Sequence, residues 1–170
     1  MFSFLKKNKG WVAYFSCLLL IVFLFRFVFM LAFIPSESMV PTLNVKDILF
    51  CSCMDQDYDR YDIIVFQSPD QPSTLYIKRI IGLPGDVVDI VDGTVYINGE
   101  QAEDSFIAPE ISHYTGKFEV PEHSYFVMGD NRNHSNDSRY WQTTHFVPEE
   151  NIKAVALFRI LPLSRIGGLK

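Results

Sequence analysis

Two serines in a stiff loop are the first residues whose spacing indicates chemistry. Ser36 and Ser38 lie between Pro35 and Pro41 in the stretch 34–43. Each proline holds φ at about −65° and removes a backbone donor, so we expect an extended or turning loop rather than a helix. In an extended backbone the two hydroxyls point to the same side. Such a loop holds a hydroxyl at a set angle, although serines beside prolines are also ordinary turn residues.

A lysine in an apolar run is the second such residue. Lys78 lies in the run 75–81 and shares its strand face with Tyr76 and Ile80, and both faces of the run are mostly apolar. Burial disfavours an ionised amine, and lowering its pKa by about three units from about 10.4 leaves close to half of it neutral at pH 7. A neutral amine is able to take a proton from serine. The alternative is that Lys78 snorkels from an edge strand.

A polar loop follows the strand that ends near residue 128. The stretch 129–141 is rich in Asp, Asn, Arg and Ser and ends in Tyr140-Trp141. In an exposed loop Asp137 and Arg139 would form a solvated ion pair that contributes little to stability. The terminal aromatic residues bury area, so we expect a packed loop that orients other polar groups.

Taken together, three motifs resemble those of the type I signal peptidases, the membrane-bound Ser-Lys proteases. The motifs are Pro35-Ser36-Glu37-Ser38-Met39 with Pro41-Thr42-Leu43, then Tyr76-x-Lys78-Arg79 with Gly82-x-Pro84-Gly85-Asp86, then Gly129-Asp130-Asn131-Arg132 through Ser135-x-Asp137-Ser138-Arg139. They stand in the family's order after an apolar segment. The resemblance covers nearly the whole chain, to a final strand near Ile160.

The resemblance implies roles for individual residues. It implies Ser38 as the nucleophile, Lys78 as the general base, and the Ser36 hydroxyl with the Ser38 backbone N–H as the oxyanion hole. Ser135 would hydrogen-bond to the Lys78 amine and orient it. The residues implied to be structural near the site are Gly129, Asp130, Asp137 and Arg139. Shallow apolar pockets for small substrate residues would be lined by Ile34, Pro35, Met39, Leu43, Tyr76 and Ile77. Asn133 and His134 depart from the family's usual pattern and receive no role.

Composition and charge bound the class of protein. The chain has 170 residues, of which 48% are hydrophobic, enough for one anchor and one domain. Residues 35–170 hold 11 Lys and Arg against 20 Asp and Glu, which argues against a nucleic-acid partner. Cys17, Cys51 and Cys53 make no disulfide framework, and the four histidines have no ligand spacing. We therefore expect no metal and no cofactor.

An apolar segment near the N-terminus predicts a membrane anchor. Residues 11–34 are interrupted by one charge, Arg26, and a spanning helix needs about 20 apolar residues. A cleavable signal peptide is the rival interpretation, but the small-x-small cleavage pattern is missing. We expect a basic cytoplasmic tail at 1–10 and a single plasma-membrane anchor at 11–30, with Arg26 snorkelling to the far interface and 27–34 at the outer membrane surface.

The remaining residues, 31–170, predict a compact antiparallel β domain on the extracytoplasmic face. Strands are predicted at Ile48 to Cys51, Asp62 to Phe66, Leu75 to Ile81, Val87 to Val91, Thr94 to Ile97, Tyr125 to Met128 and Ala154 to Ile160. Asp92-Gly93 is a strong hairpin signal, and 99–123 are expected to form a long loop or an extra hairpin. The predicted fold class is mainly β, with a single N-terminal transmembrane helix before a β domain of the signal-peptidase type.

The function that the resemblance implies is a membrane-anchored serine endopeptidase with a Ser-Lys dyad. It would cleave N-terminal signal peptides from exported preproteins after small residues of the Ala-x-Ala type. Its partners would be those preproteins, the lipid bilayer and the secretion translocon. Two alternatives stay open: a catalytically idle membrane-tethered assembly or chaperone factor of the same fold, or a Ser-Lys maturase dedicated to one substrate. The presence of both Ser38 and Lys78 argues against the idle relative.

Overall fold

The computed structural model describes residues 9–54, 57–108 and 113–169. It begins with a helix, α1 (Lys9–Phe27), and continues as strands. The strands are β1 (Phe29–Phe33), β2 (Ile48–Ser52), β3 (Ile63–Gln67), β4 (Leu75–Gly82), β5 (Val87–Val91), β6 (Thr94–Ile97), β7 (Glu100–Gln101), β8 (Gly116–Glu119), β9 (Ser124–Met128), β10 (Val147–Pro148), β11 (Ile152–Leu161) and β12 (Gly167–Gly168). Short 3₁₀ helices lie at Glu149–Asn151 and Leu163–Arg165.

The strands form two antiparallel sheets. The larger sheet has the order β1-β2-β11-β3-β4-β9-β10, with β12 paired to β11, and the smaller has the order β7-β6-β5-β8. Runs of β-branched and aromatic residues favour strands, and β3 and β4 are buried on both faces because apolar clusters cover each side. The prediction of a mainly β fold is confirmed, and the predicted strands are present with ends that differ by up to two residues.

Helix α1 is apolar along most of its length, and most of its described large side chains are exposed. Leu19, for example, is 69% exposed. Among the described residues, no helix combines the length and apolar character that crossing a bilayer requires. Residues 1–8 of the predicted basic tail and the side chain of Arg26 lie outside the described part of the chain. The apolar stretch after the helix is strand β1, which pairs with β2 from Phe29 to Phe33.

The segment 99–123 extends the smaller sheet. It supplies β7, which pairs with β6, and β8, which pairs with β5, while residues 109–112 lie outside the described ranges. An apolar cluster joins this sheet to the larger one. Its buried members are Ile81, Val88, Ile90, Val95, Ile97, Phe118, Val120, Phe126 and Met128. The larger sheet is thereby supported beneath β4 and β9, the two strands next to the polar residues described below.

Candidate active site

Ser38 and Lys78 meet at the centre of the site. Lys78 Nζ lies 2.8 Å from Ser38 Oγ, and it donates a hydrogen bond to the carbonyl of Ile77 at 2.9 Å. Both residues are buried, with 6% of Ser38 and 4% of Lys78 exposed. A lysine on a solvated edge would be far more exposed, so the snorkelling alternative does not hold. A serine hydroxyl with an amine in hydrogen-bond reach is the arrangement that activation of a serine nucleophile requires.

The protonation of Lys78 is set by two opposing effects. Burial lowers its pKa from the ordinary value of 10.5 to about 8, while the charges of Asp137 and Asp130 raise it. The direction agrees with the expectation from the sequence, and these two carboxylates limit the fall of the pKa. With a pKa of about 8, roughly one lysine in ten is neutral at pH 7.

The serine loop has the predicted turning conformation. The Val40 N–H donates to the Glu37 carbonyl and the Leu43 N–H to the Met39 carbonyl, so the chain turns without forming a helix. Ser36 Oγ lies 3.4 Å from Ser38 Oγ, which places both hydroxyls on one side of the loop. The Ser36 side chain is exposed, on the open side of the pair.

The position of Ser135 differs from the expectation. Its buried hydroxyl has no hydrogen-bond partner among the described residues, so the predicted bond to the Lys78 amine is not made in this arrangement. The amine donates to the Ile77 carbonyl instead. Ser135 packs against Gly129, where an added Cβ would collide with Ser135 Oγ and with the Ser38 carbonyl oxygen. Only a glycine at 129 allows the strand and the two loops to approach so closely.

The polar loop after β9 is packed, as its aromatic end predicted. Asp137 accepts two hydrogen bonds from the Arg139 guanidinium, at 2.8 and 2.9 Å, and others from the backbone N–H groups of Gly129, at 2.9 Å, and Arg139, at 3.3 Å. Both charged side chains are buried, and Trp141 is 1% exposed. The ion pair is therefore enclosed rather than solvated, and removing one partner would leave an uncompensated buried charge.

Asp130 has a partner that the sequence reasoning missed. Arg79 binds it through two hydrogen bonds, Nε to Oδ1 at 2.9 Å and Nη2 to Oδ2 at 2.7 Å. Arg79 also donates to the carbonyl of Tyr61. Since Arg79 follows Lys78 on β4, it points to the opposite face of the sheet. A basic residue on an otherwise apolar strand face was the signal that it needed a buried acidic partner.

Arg132 is a second charged residue that the sequence did not single out. It is buried, and burial lowers its pKa to about 10. Its Nε donates to the carbonyl of Gly129 at 3.1 Å, while Nη1 has no partner among the described residues. The guanidinium adds a buried positive charge next to the two ion pairs.

The residues predicted to line substrate pockets fall into two groups. Ile34, Met39, Leu43 and Ile77 are buried together in one apolar cluster. Tyr76 packs against a different cluster, and Pro35 is exposed. The serine loop therefore lies on the first group, while Tyr76 flanks the lysine.

The cysteines and histidines form no candidate metal site in the described ranges. Cys51 is buried in β2, where burial raises the pKa of its thiol to about 12, and Cys53 is exposed beyond the strand end. Neither is bonded in a disulfide.

Comparisons with known proteins agree with the motifs. The family model described as signal peptidase, peptidase S26, matches residues 8–161. The chain is 41% identical over 143 residues to a probable signal peptidase I-2 of Synechocystis, covering 79% of this chain and 64% of that protein. It is 41% identical over 147 residues to a signal peptidase I of Leptolyngbya laminosa, covering 81% and 71%. Over the full length of both chains it is 33% identical to signal peptidase I P of Bacillus subtilis subsp. natto. The chain thus spans less than two thirds of the Synechocystis relative.

Proposed function

The chain belongs to the signal peptidase family, peptidase S26, and we propose that it is a serine endopeptidase that removes N-terminal signal peptides from exported preproteins. The observation that carries this proposal is the 2.8 Å separation of Lys78 Nζ and Ser38 Oγ in a buried setting. A serine hydroxyl is too weak an acid to attack a peptide unaided and needs a base that is neutral near the working pH.

In the proposed reaction, the neutral Lys78 amine takes the Ser38 proton as Oγ attacks the scissile carbonyl carbon. The carbonyl oxygen becomes an oxyanion that accepts hydrogen bonds from the Ser36 hydroxyl and the Ser38 backbone N–H. Lys78 then donates its proton to the leaving amine, and the signal peptide stays attached to Ser38 as an ester. A water molecule, deprotonated by the same amine, hydrolyses the ester and frees Ser38.

Ser135 enters this scheme when Lys78 is protonated. The ammonium carries three N–H donors, and the Ile77 carbonyl at 2.9 Å takes one of them. The Ser135 hydroxyl is buried and has no hydrogen-bond partner in the described part of the chain, so it is free to rotate toward another donor. We assign it as an acceptor for the protonated base.

A preference for small residues before the cut is consistent with the cluster under the serine loop. Ile34, Met39, Leu43 and Ile77 are buried in one apolar cluster, and Met39 and Ile77 are the chain neighbours of Ser38 and Lys78. Shallow pockets lined by such large side chains would accept only small substrate residues, which favours cleavage of the Ala-x-Ala type.

Attachment to the plasma membrane is part of the proposal. Helix α1 exposes apolar side chains, among them Trp11 at 67% and Leu19 at 69%. Contact with lipid would remove this apolar area from water, which is favourable. We assign the apolar segment 11–30 as the anchor, as the sequence predicts, with the N-terminus in the cytoplasm and the β domain outside, where preproteins leave the translocon.

The test is cleavage by the purified full-length chain in detergent. We expect it to cut several preproteins after Ala-x-Ala, as identified by N-terminal sequencing of the products. Ser38→Ala and Lys78→Arg should both be inactive, because the first lacks the nucleophile and the second keeps a charged guanidinium at any workable pH. Turnover by Lys78→Arg would refute the base assignment. Cleavage of one preprotein only would support the dedicated maturase, and no cleavage at all the idle relative.

A further inference from the structure

An aromatic ring lies beside the amine of Lys78. Tyr76 and Lys78 are two residues apart on β4 and so share a strand face. Lys78 Nζ lies 5.5 Å from the centroid of the Tyr76 ring. A cation within about 6 Å of a ring centroid is attracted by the negative face of the π system. The contact acts on the ammonium and not on the neutral amine.

The Tyr76 ring is held in place by two other aromatic residues. Its centroid lies 6.4 Å from that of Phe66, which is its cross-strand partner on β3, and 6.5 Å from that of Trp141. Phe66 and Trp141 are themselves 5.8 Å apart and fully buried. Tyr76 therefore packs against two buried aromatic side chains, and this packing keeps its ring beside the amine.

The Tyr76 ring matters because the carboxylates that act on Lys78 are themselves bound by arginines. Asp137 and Asp130 both act on the amine electrostatically, but each carboxylate is bound by two N–H groups of an arginine, Arg139 and Arg79 respectively. On β3 the residue opposite Lys78 is the apolar Ile64, and the amine also contacts the neutral Ser38 hydroxyl and Ile77 carbonyl. A bare carboxylate in contact with the amine would keep it protonated.

We propose that Tyr76 is a positioning residue for the general base, and that its ring face stabilises the ammonium form of Lys78 by an amount small enough to leave the neutral form accessible. The inference rests on the proposed function, in which Lys78 alternates between these two forms. It differs from a role for Tyr76 in a substrate pocket because it acts on the amine even when no substrate is bound.

The first experiment is the pH dependence of kcat/KM for the full-length chain, whose acid limb reports the base in the free enzyme. In Tyr76→Leu we expect the limb to move to lower pH by about 0.7 unit, a roughly 5-fold change in the protonation equilibrium that is typical of one cation–π contact. A weaker base removes protons less readily, so kcat on the plateau should fall roughly 2- to 5-fold. Tyr76→Phe keeps the ring face and should leave the limb unchanged.

The second experiment removes differences of shape. Phenylalanine carrying one, two or three ring fluorines is placed at position 76, which weakens the negative ring face stepwise at nearly constant volume. The midpoint of the acid limb should move stepwise to lower pH with each added fluorine. An unmoved limb in Tyr76→Leu, or a flat fluorine series, overturns the inference while an inactive Lys78→Arg leaves the proposed function intact. An active Lys78→Arg overturns both. A change in KM with an unmoved limb assigns Tyr76 to substrate contact alone.

Discussion

At the scale of single residues, the site depends on the protonation of one amine. Burial lowers the pKa of Lys78 to about 8, and the charges of Asp137 and Asp130 limit the fall. Both carboxylates are paired with arginines, which weakens their hold on the amine. The result is a buried amine that is partly neutral near physiological pH, as the proposed general base has to be.

The buried lysine should cost stability as well as supply chemistry. Because its pKa is about 8 in the folded chain and about 10.5 when unfolded, the unfolded chain binds more protons between these values, and stability rises with pH across that window. Below pH 8 the folded state carries the full free-energy cost of burying the ammonium form of Lys78, about 3 kcal/mol. We therefore expect Lys78→Met to unfold at a higher temperature at pH 7, with a smaller gain at pH 10.5, as measured by thermal melts. An equal gain at both pH values would contradict this linkage.

A second expectation at this scale concerns the Ser36 hydroxyl. Its Oγ lies 3.4 Å from Ser38 Oγ, on the open side of the nucleophile. If it donates to the oxyanion, Ser36→Ala should lower kcat roughly 10²-fold with little change in KM, because the contact exists only in the transition state. Steady-state kinetics measure both constants. Ser105→Ala, at an exposed position, serves as the control, and an unaltered kcat in Ser36→Ala would remove this hydroxyl from the oxyanion hole.

At the scale of elements, the site is assembled where two loops meet the end of β9. The Asn131 N–H donates to the Ser38 carbonyl at 3.1 Å, and the Asn131 side chain donates to the Glu37 carbonyl at 3.2 Å. The polar loop therefore holds the serine loop by its backbone. Asp137 in turn accepts a hydrogen bond from the N–H of Gly129, the first residue of the polar loop, and so closes this loop on itself.

Ser135 and the Ser38 carbonyl oxygen approach Gly129 so closely that this position should be sensitive to substitution. In Gly129→Ala the new Cβ would meet Ser135 Oγ and the Ser38 carbonyl oxygen, and since one of these is backbone, the serine loop has to shift. Overpacking of this kind costs roughly 1–3 kcal/mol, and a displaced nucleophile costs about 10²-fold in rate. Thermal melts and kcat measure the two effects. Gly167→Ala adds the same methyl group where nothing lies within 4 Å, and equal losses in both variants would exclude the steric explanation.

At the scale of the whole molecule, an apolar helix precedes an acidic β domain. The exposed apolar side chains of α1 and the lysines near the N-terminus underlie the proposed orientation, with the β domain outside the cytoplasm. Because α1 leads directly into β1 at the edge of the larger sheet, the helix and the domain are joined by a single residue, Val28.

Cys53 offers a test of this orientation with the native chain. Its side chain is exposed on the β domain, whereas Cys51 is buried. A membrane-impermeant maleimide applied to intact cells at pH 8 should label the chain, slowly, because partial desolvation raises the pKa of the exposed Cys53 thiol. Cys53→Ser should lose the label. Labelling that appears only after the cells are opened would place the β domain in the cytoplasm.

The sequence by itself determined the mainly β fold and pointed to the serine and lysine that the structure brings together. Period-two runs and hairpin signals are local, so they predict strands without any knowledge of their partners. Ser38 and Lys78 were identified by motif, and the apolar faces around Lys78 predicted the direction of its pKa shift. Even the packed character of the loop 129–141 was readable from its aromatic end.

Only the tertiary structure decided which groups meet. It pairs β11 with both β2 and β3, brings Arg79 to Asp130 across 51 residues, and leaves the Ser135 hydroxyl against Gly129 rather than on the lysine. These outcomes depend on contacts between parts of the chain that are far apart in sequence, and on the space that remains after packing. Local sequence patterns predict neither, because the type of a side chain indicates which kind of interaction it requires but not which distant residue provides it.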